Sequence, residues 1–222
     1  MIRRTRPILF VLGPSGSGKS TLGRSLAAAG FLHVELDRPP DDAGADRVAA
    51  ALRPGLEVLA GSARVGPLVL ALESMDGRNT SRGSVVTFSS VATLAPRHVA
   101  SIERAGIDIV VLYGTGAECI DGCLARERAS GRAVPPMHWI EHNARSYAQL
   151  SLPHHAPHRV LSYRGGAFVG AEALVRTVAS HLARHNPQWR AIGEAVGGDR
   201  HDQGVAVRRA HLARRPDSVP RR

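Results

Sequence analysis

A chain of 222 residues that is 43% hydrophobic can bury the core of one α/β domain of ordinary size, with residues left over for a tail. Its 4% aromatic content makes that core aliphatic, and no apolar run approaches the length needed to span a bilayer, so a membrane role is not expected. The net charge of +10 invites a nucleic-acid reading, but its distribution argues against one: residues 190–222 hold eight arginines against Glu194, Asp199, Asp202 and Asp217, and the rest is spread over the body, as suits anionic small molecules and a solvated tail.

The first residues, Met1 to Arg6, are basic and precede a short apolar stretch. No small-residue cleavage site follows that stretch, so Ile8–Leu12 reads as a buried strand rather than a signal sequence, and a cytoplasmic protein is expected. Gly13-Pro14-Ser15-Gly16-Ser17-Gly18-Lys19-Ser20-Thr21 comes next and fits G-x-x-x-x-G-K-[ST], the phosphate-binding P-loop. Leu22, Leu26 and Ala29 then form one stripe of a helix over 20–29 that stops at Gly30. Strand, glycine-rich loop and helix are the context this motif requires.

The chemistry of the loop follows from its residue types. Phosphate is well solvated, so a binding site must replace water with hydrogen-bond donors. Gly13, Gly16 and Gly18 let backbone N–H groups converge as an anion nest. The helix N-terminus adds its dipole and its unpaired amides. Lys19 is expected to reach the β- and γ-phosphates and Ser20 to hold Mg²⁺, while Thr21 fills the first turn. Lys19 is the one lysine in a chain whose other basic residues are arginine, at the position where a compact ammonium is needed.

Phe31 to Arg38 alternates apolar and polar residues, a second strand whose end carries Glu35 and Asp37 before Pro39-Pro40. Ligands of open α/β sheets bind beyond the carboxyl ends of strands, which puts Asp37 in the same crevice as the loop. Residues 41–66 read as loop with a short helix at 45–52. Residues 67–75 suit either state, and their Leu, Ala, Glu and Met favour helix. Asp76 to Arg82 is a polar turn, and Val85–Phe88 a strand with Ser89 and Ser90 at its tip. A helix over 96–105, a strand over 107–113 and a helix over 116–130 follow; Cys119 and Cys123 lie on the last as small buried residues rather than metal ligands. Pro135-Pro136 precedes a helix at 138–150, and a strand at 158–163 and a helix at 170–185 close the pattern. His138, His142, His154, His155 and His158 read as exposed loop and helix residues. The alternation predicts a doubly wound parallel α/β sheet with helices on both faces. Residues 1–186 are expected to form the domain, with a short lid near 126–137. Residues 187–222 lack apolar periodicity and read as a basic, disordered tail.

This layout resembles the small-molecule P-loop kinases, in particular the shikimate and gluconate kinase group of the adenylate-kinase-like superfamily. The resemblance covers residues 7–185 in order and position and is specific in sequence at the P-loop. It implies that ATP and Mg²⁺ are used and that the γ-phosphate moves to a hydroxyl of a small molecule. It also implies that Asp37 faces the acceptor hydroxyl and helps hold Mg²⁺. Arg126, Arg128 and Arg132 fall where that group places lid arginines over the transferred phosphate and beside adenine. Thr87 to Ser90 stands where gluconate-kinase-like members carry a serine-bearing strand end instead of a Walker-B aspartate. No Gly-Gly-Gly follows the third strand and no basic residue follows Ser90, so the acceptor pocket is expected to differ from both enzymes. A monomer or homodimer is expected. A GTPase is set aside because its N-K-x-D loop needs a second lysine, and an ABC-type ATPase for want of length and signature. The competing reading is a nucleotide-binding regulatory protein that transfers nothing.

Overall fold

The structure, a computed structural model, describes residues 5–36, 65–76, 81–88, 95–131, 133, 137–138, 141, 143–145 and 152–196. Five strands form one parallel sheet in the order β2-β3-β1-β4-β5: β1 Ile8–Leu12, β2 Leu32–Glu35, β3 Ser84–Phe88, β4 Ile107–Tyr113 and β5 Arg159–Leu161. The helices are α1 Lys19–Ala28, α2 Val65–Asp76, α3 Pro96–Arg104, α4 Gly116–Ala129 and α5 Ala171–Leu182, and residues 188–196 form a further helix, α6. The described residues of 137–145 are helical, and a 3₁₀ helix, Pro153–His158, leads into β5.

β1 is apolar throughout because both of its faces are covered. Side chains alternate across a strand. Ile8, Phe10 and Leu12 therefore pack with Leu68 and Leu72 of α2 and Val99 and Ile102 of α3 on one face. Leu9 and Val11 pack with α1, α5 and α6 on the other. These two cores, one per face, make the doubly wound α/β sandwich that the strand–helix alternation predicts. The ambiguous stretch at 67–75 is helical, since Leu68 and Leu72 are buried while Leu70 is 65% exposed, a one-sided stripe that a doubly covered strand would not show.

The expected domain end at 186 is corrected. Residues 188–196 continue the fold, and Trp189 is fully buried. Its ring stacks on Phe31 at 5.6 Å, and its Nε1 donates to Asp108 Oδ2 at 2.8 Å. One large side chain with a polar handle anchors a short helix that no apolar periodicity announces. His155 and His158 are also buried rather than exposed, because the 3₁₀ helix packs against the sheet as it enters β5. The helix expected at 45–52, the tip residues Ser89 and Ser90, and residues 197–222 lie outside the described residues.

A two-stranded antiparallel hairpin, β6 Tyr163–Arg164 and β7 Ala167–Phe168, was not anticipated. Its turn is Gly165-Gly166, with φ of 57° and 79°, the positive values that a two-residue hairpin turn requires. The hairpin matters for the site because it leans on the P-loop.

Candidate phosphate-binding site

The loop between β1 and α1 takes its shape from glycines. Gly16 has φ 83°, and a Cβ there would stand 2.0 Å from the carbonyl oxygen of Cys119, so the loop lies directly against α4. Gly18, with φ 92° and ψ 11°, is the N-cap of α1 and offers no side-chain cap. The first turn of α1 holds no acidic residue either. Its amides thus keep both their hydrogen-bonding capacity and the positive end of the helix dipole for an anion. α4 shows the contrast. There Thr115 Oγ1 accepts from Glu118 N at 3.3 Å and Thr115 N donates to Glu118 Oε2 at 2.6 Å, a complete capping box.

Lys19 is 6% exposed, and its Nζ donates to Gly13 O at 2.8 Å and Pro14 O at 3.2 Å. The ammonium is held in the fold of the loop, within its own anion nest. Ser17 donates its N–H to Pro14 O at 3.2 Å, closing the turn, while its fully buried Oγ has no hydrogen-bond partner among the described residues. Thr21 is partly buried in the first turn of α1, as expected of a filler.

α1 and β2 bring an acid to the loop. His33 and Glu35 of β2, with Phe31 just before the strand, face α1, and three α1 residues spaced by a turn meet them. Ser20 Oγ donates to Glu35 Oε1. Gly23 lies under the His33 ring, where a Cβ would be 2.2 Å from Nε2; this explains a helix-interior glycine that costs about 1 kcal/mol in propensity. Leu26 O accepts from Phe31 N at 3.0 Å. His33 Nε2 in turn pairs with Thr87 Oγ1 at 3.1 Å, so the strand-end threonine is tied beneath the same cluster. Glu35 is thus the carboxylate that touches the P-loop serine. Sequence reasoning noted it at the strand end but favoured Asp37, which lies outside the described residues. The period-two alternation of β2, set against the helical period of α1, is the signal that points to Glu35.

The hairpin braces the loop from the other side. Tyr163 OH donates to Gly16 O at 2.8 Å, and burial pushes its ionisation up to about 12, which keeps it a donor. Phe168 packs over Gly18, and its ring meets Tyr163 edge-on at 5.7 Å. Glu118 Oε1 accepts from Gly166 N at 3.0 Å and ties the hairpin to α4. The Thr115 amide, followed by the Thr115 hydroxyl and Gly166, holds the Glu118 carboxyl below its usual range despite some desolvation. Neither Tyr163 nor Phe168 was singled out from sequence, although the Gly-Gly turn between them is a recognisable hairpin signal.

Of the three arginines assigned to the lid, Arg126 sits in the last turns of α4, where its guanidinium donates to Glu127 Oε1 at 2.8 Å and to Cys123 Sγ at 3.4 Å. Cys119 and Cys123, neither of them in a disulfide, form the buried α4 surface against which Gly16 packs. Arg128 is exposed in the same turn as Arg126, and Arg132 lies outside the described residues. From beyond α4, buried Asn143 accepts the N–H of Ser15 on its Oδ1 at 3.1 Å. Among the described residues no three His, Cys, Asp or Glu side chains gather as a metal cage, and no helix is long and apolar enough to cross a membrane.

No protein-family model and no curated protein sequence matches the chain. Several solved structures are similar to it. A gluconokinase from Sinorhizobium meliloti 1021 is 21% identical with a TM-score of 0.44, over 90% of this chain and 100% of its own. An unliganded sugar kinase from Janibacter sp. HTCC2649 is 20% identical with a TM-score of 0.44, over 86% and 98%. A shikimate kinase from Acinetobacter baumannii, in complex with shikimate, is 17% identical with a TM-score of 0.45, over 82% and 96%.

Proposed function

We propose that the chain is an ATP-dependent phosphotransferase that moves the γ-phosphate of ATP to a hydroxyl of a small molecule. The observation that carries this reading is the convergence, at one uncapped helix start, of the glycine-cornered loop, the buried Lys19 ammonium and the Ser20–Glu35 contact. Gly13 to Thr21 would cradle the phosphates. Ser20 and Glu35 together offer hard oxygen donors of the kind Mg²⁺ prefers, one or two from protein with phosphate and water completing the shell. When bound there, the ion neutralises charge on the β- and γ-oxygens.

The protein's own contribution is positioning. Lys19 holds the transferring group, and Arg126, Arg128 or Arg132 would cover it. Asp37, two residues beyond Glu35, is assigned to orient or deprotonate the acceptor hydroxyl.

The test is ADP release from ATP·Mg²⁺ across a panel of sugars, sugar acids, nucleosides and amino alcohols. At least one compound is expected to raise the rate well above the basal one. Lys19→Ala is expected to abolish ATP binding. Glu35→Gln is expected to raise the Mg²⁺ needed for half-maximal rate about tenfold or more. Asp37→Asn is expected to slow transfer by roughly 10²–10⁴ with ATP binding retained. ATP binding that depends on Lys19, with no compound raising turnover, would replace this reading with that of a nucleotide-binding regulator.

A further inference from the structure

A groove runs between α5 and α6, on the sheet face that also carries α1. The first turns of α5 meet the phosphate loop, where Leu174 comes within 3.4 Å of a Cβ placed on Gly18. The groove begins further down the same helix. Ala179 and Ala183, about 8–13 Å beyond Leu174 along the axis, form one stripe of its floor. Trp189 and Gly193, also four residues apart, form the matching stripe of α6. A Cβ on Gly193 would stand 2.9 Å from the Ala179 Cβ, so the two helices touch there through their smallest residues. Small side chains between helices leave space above them, here a cavity of about 600 Å³. Sites for small organic molecules run roughly from 300 to 1,000 Å³.

The walls above this apolar floor are charged. Arg176, Ser180 and Arg184 make up the exposed wall on the α5 side, and Arg190 and Glu194 the wall on the α6 side. Three guanidiniums against one carboxylate leave two positive charges. Arg190 forms no side-chain hydrogen bond or ion pair among the described residues. Arg184 gives one N–H to His181 Nδ1 at 2.8 Å, and Arg176 meets Glu172 at 3.3 Å. A guanidinium carries five donors, so both keep N–H groups for a ligand. Its planar fork matches the oxygens of phosphate with two parallel hydrogen bonds. A phosphate monoester is close to a dianion at neutral pH, which balances the charge of the walls. Its organic body would cover the floor, which inorganic phosphate leaves bare.

We propose that the α5–α6 groove is a second anion site, separate from the phosphate loop, that takes a small organic phosphate. Arg184 and Arg190 hold the phosphate, Arg176 extends the positive wall two turns away, and Ala179, Ala183 and Trp189 underlie the apolar body. The assignment does not depend on the loop being an ATP site.

The test is calorimetric titration of the full chain with 1-naphthyl phosphate. The probe is expected to bind about tenfold more tightly than inorganic phosphate, because its ring covers the floor. Arg190→Ala and Arg184→Ala are each expected to weaken it about tenfold with the melting temperature near that of the wild type. Ser180→Glu adds a carboxylate to the wall while removing no arginine; it should weaken the probe too, and serves if an arginine variant folds poorly. Lys19→Ala is expected to bind the probe as the wild type does. Equal affinity in the wild type and all three groove variants would overturn the proposal, as would a wild type that does not bind. Loss of binding in Lys19→Ala would put the probe on the phosphate loop and overturn it as well. Equal affinities for inorganic phosphate and the probe would overturn the assignment to an organic phosphate. A glutamate peptide that binds more tightly than the probe, and is weakened by the same groove variants, would make the occupant an acidic protein segment and overturn the small-molecule assignment.

Discussion

Replacing Trp189 tests whether α6 is part of the folded unit. The indole is fully buried, stacks on Phe31 with planes 17° apart, and donates to Asp108. Asp108 is itself buried, and burial raises its ionisation above the usual 3.8 against the pull of the Trp189 and Asn186 hydrogen bonds. Trp189→Ala removes the largest side chain of this face and leaves a cavity, at a cost of about 3–5 kcal/mol. It also leaves Asp108 with one donor fewer, which adds about 1 kcal/mol or more. At about 2–4 °C per kcal/mol for a chain of this size, the melting temperature should fall by roughly 8–24 °C. Trp189→Phe keeps the stacking and loses the donor, so about 1–3 kcal/mol is expected. That cost should shrink in an Asp108→Asn background, and a double-mutant cycle measures the difference. Calorimetry or circular dichroism supplies the midpoints. A Trp189→Ala midpoint within about 3 °C of wild type would show that α6 does not close this core. Removing 197–222 instead, whose sequence carries no apolar period, is expected to leave the midpoint almost unchanged.

Tyr163→Phe removes the hydroxyl that holds Gly16 O while keeping the ring against Phe168, so ATP should bind about three- to tenfold more weakly with little change in melting temperature; equal affinities would show that the hairpin does not brace the loop. His155 is buried, its Nδ1 has no hydrogen-bond partner among the described residues, and burial followed by the charges of His154, His158 and Arg159 lowers its ionisation from 6.5 to about 4. The unfolded chain therefore binds a proton that the native state refuses between these values, and stability should fall as pH drops from 6.5 to about 4. His155→Leu should flatten that part of the profile, and an unchanged slope would place its origin elsewhere. Asp108 acts in the opposite sense: its raised ionisation favours the folded state below 3.8 and loses that contribution as pH rises.

The parts of this protein legible in its sequence are those that neighbouring residues impose on one another. The phosphate loop is nine consecutive residues whose glycines and lysine dictate their own geometry, so its strand–loop–helix setting could be read directly. The strands followed from apolar runs, and the parallel, doubly covered sheet from their alternation with helices. Even the ambiguous 67–75 was decided by local helix propensity. Other features needed the chain to be folded first. The Ser20–Glu35 contact depends on how α1 lies across β2; the sequence put both Glu35 and Asp37 at the strand end and favoured Asp37, which lies outside the described residues. Tyr163 on Gly16, Asn143 on Ser15 and Trp189 on Asp108 join residues 147, 128 and 81 positions apart. No periodicity encodes such pairs, because each is one polar contact set by strand order and helix docking rather than by a repeating pattern. Residues 188–196 were assigned to the tail for the same reason: a helix anchored by one tryptophan shows no apolar stripe, and its stability lies in the pocket formed by Phe31 and Asp108. Sequence alone could specify the glycine-cornered shape of the loop; the tertiary structure decided which side chains surround it.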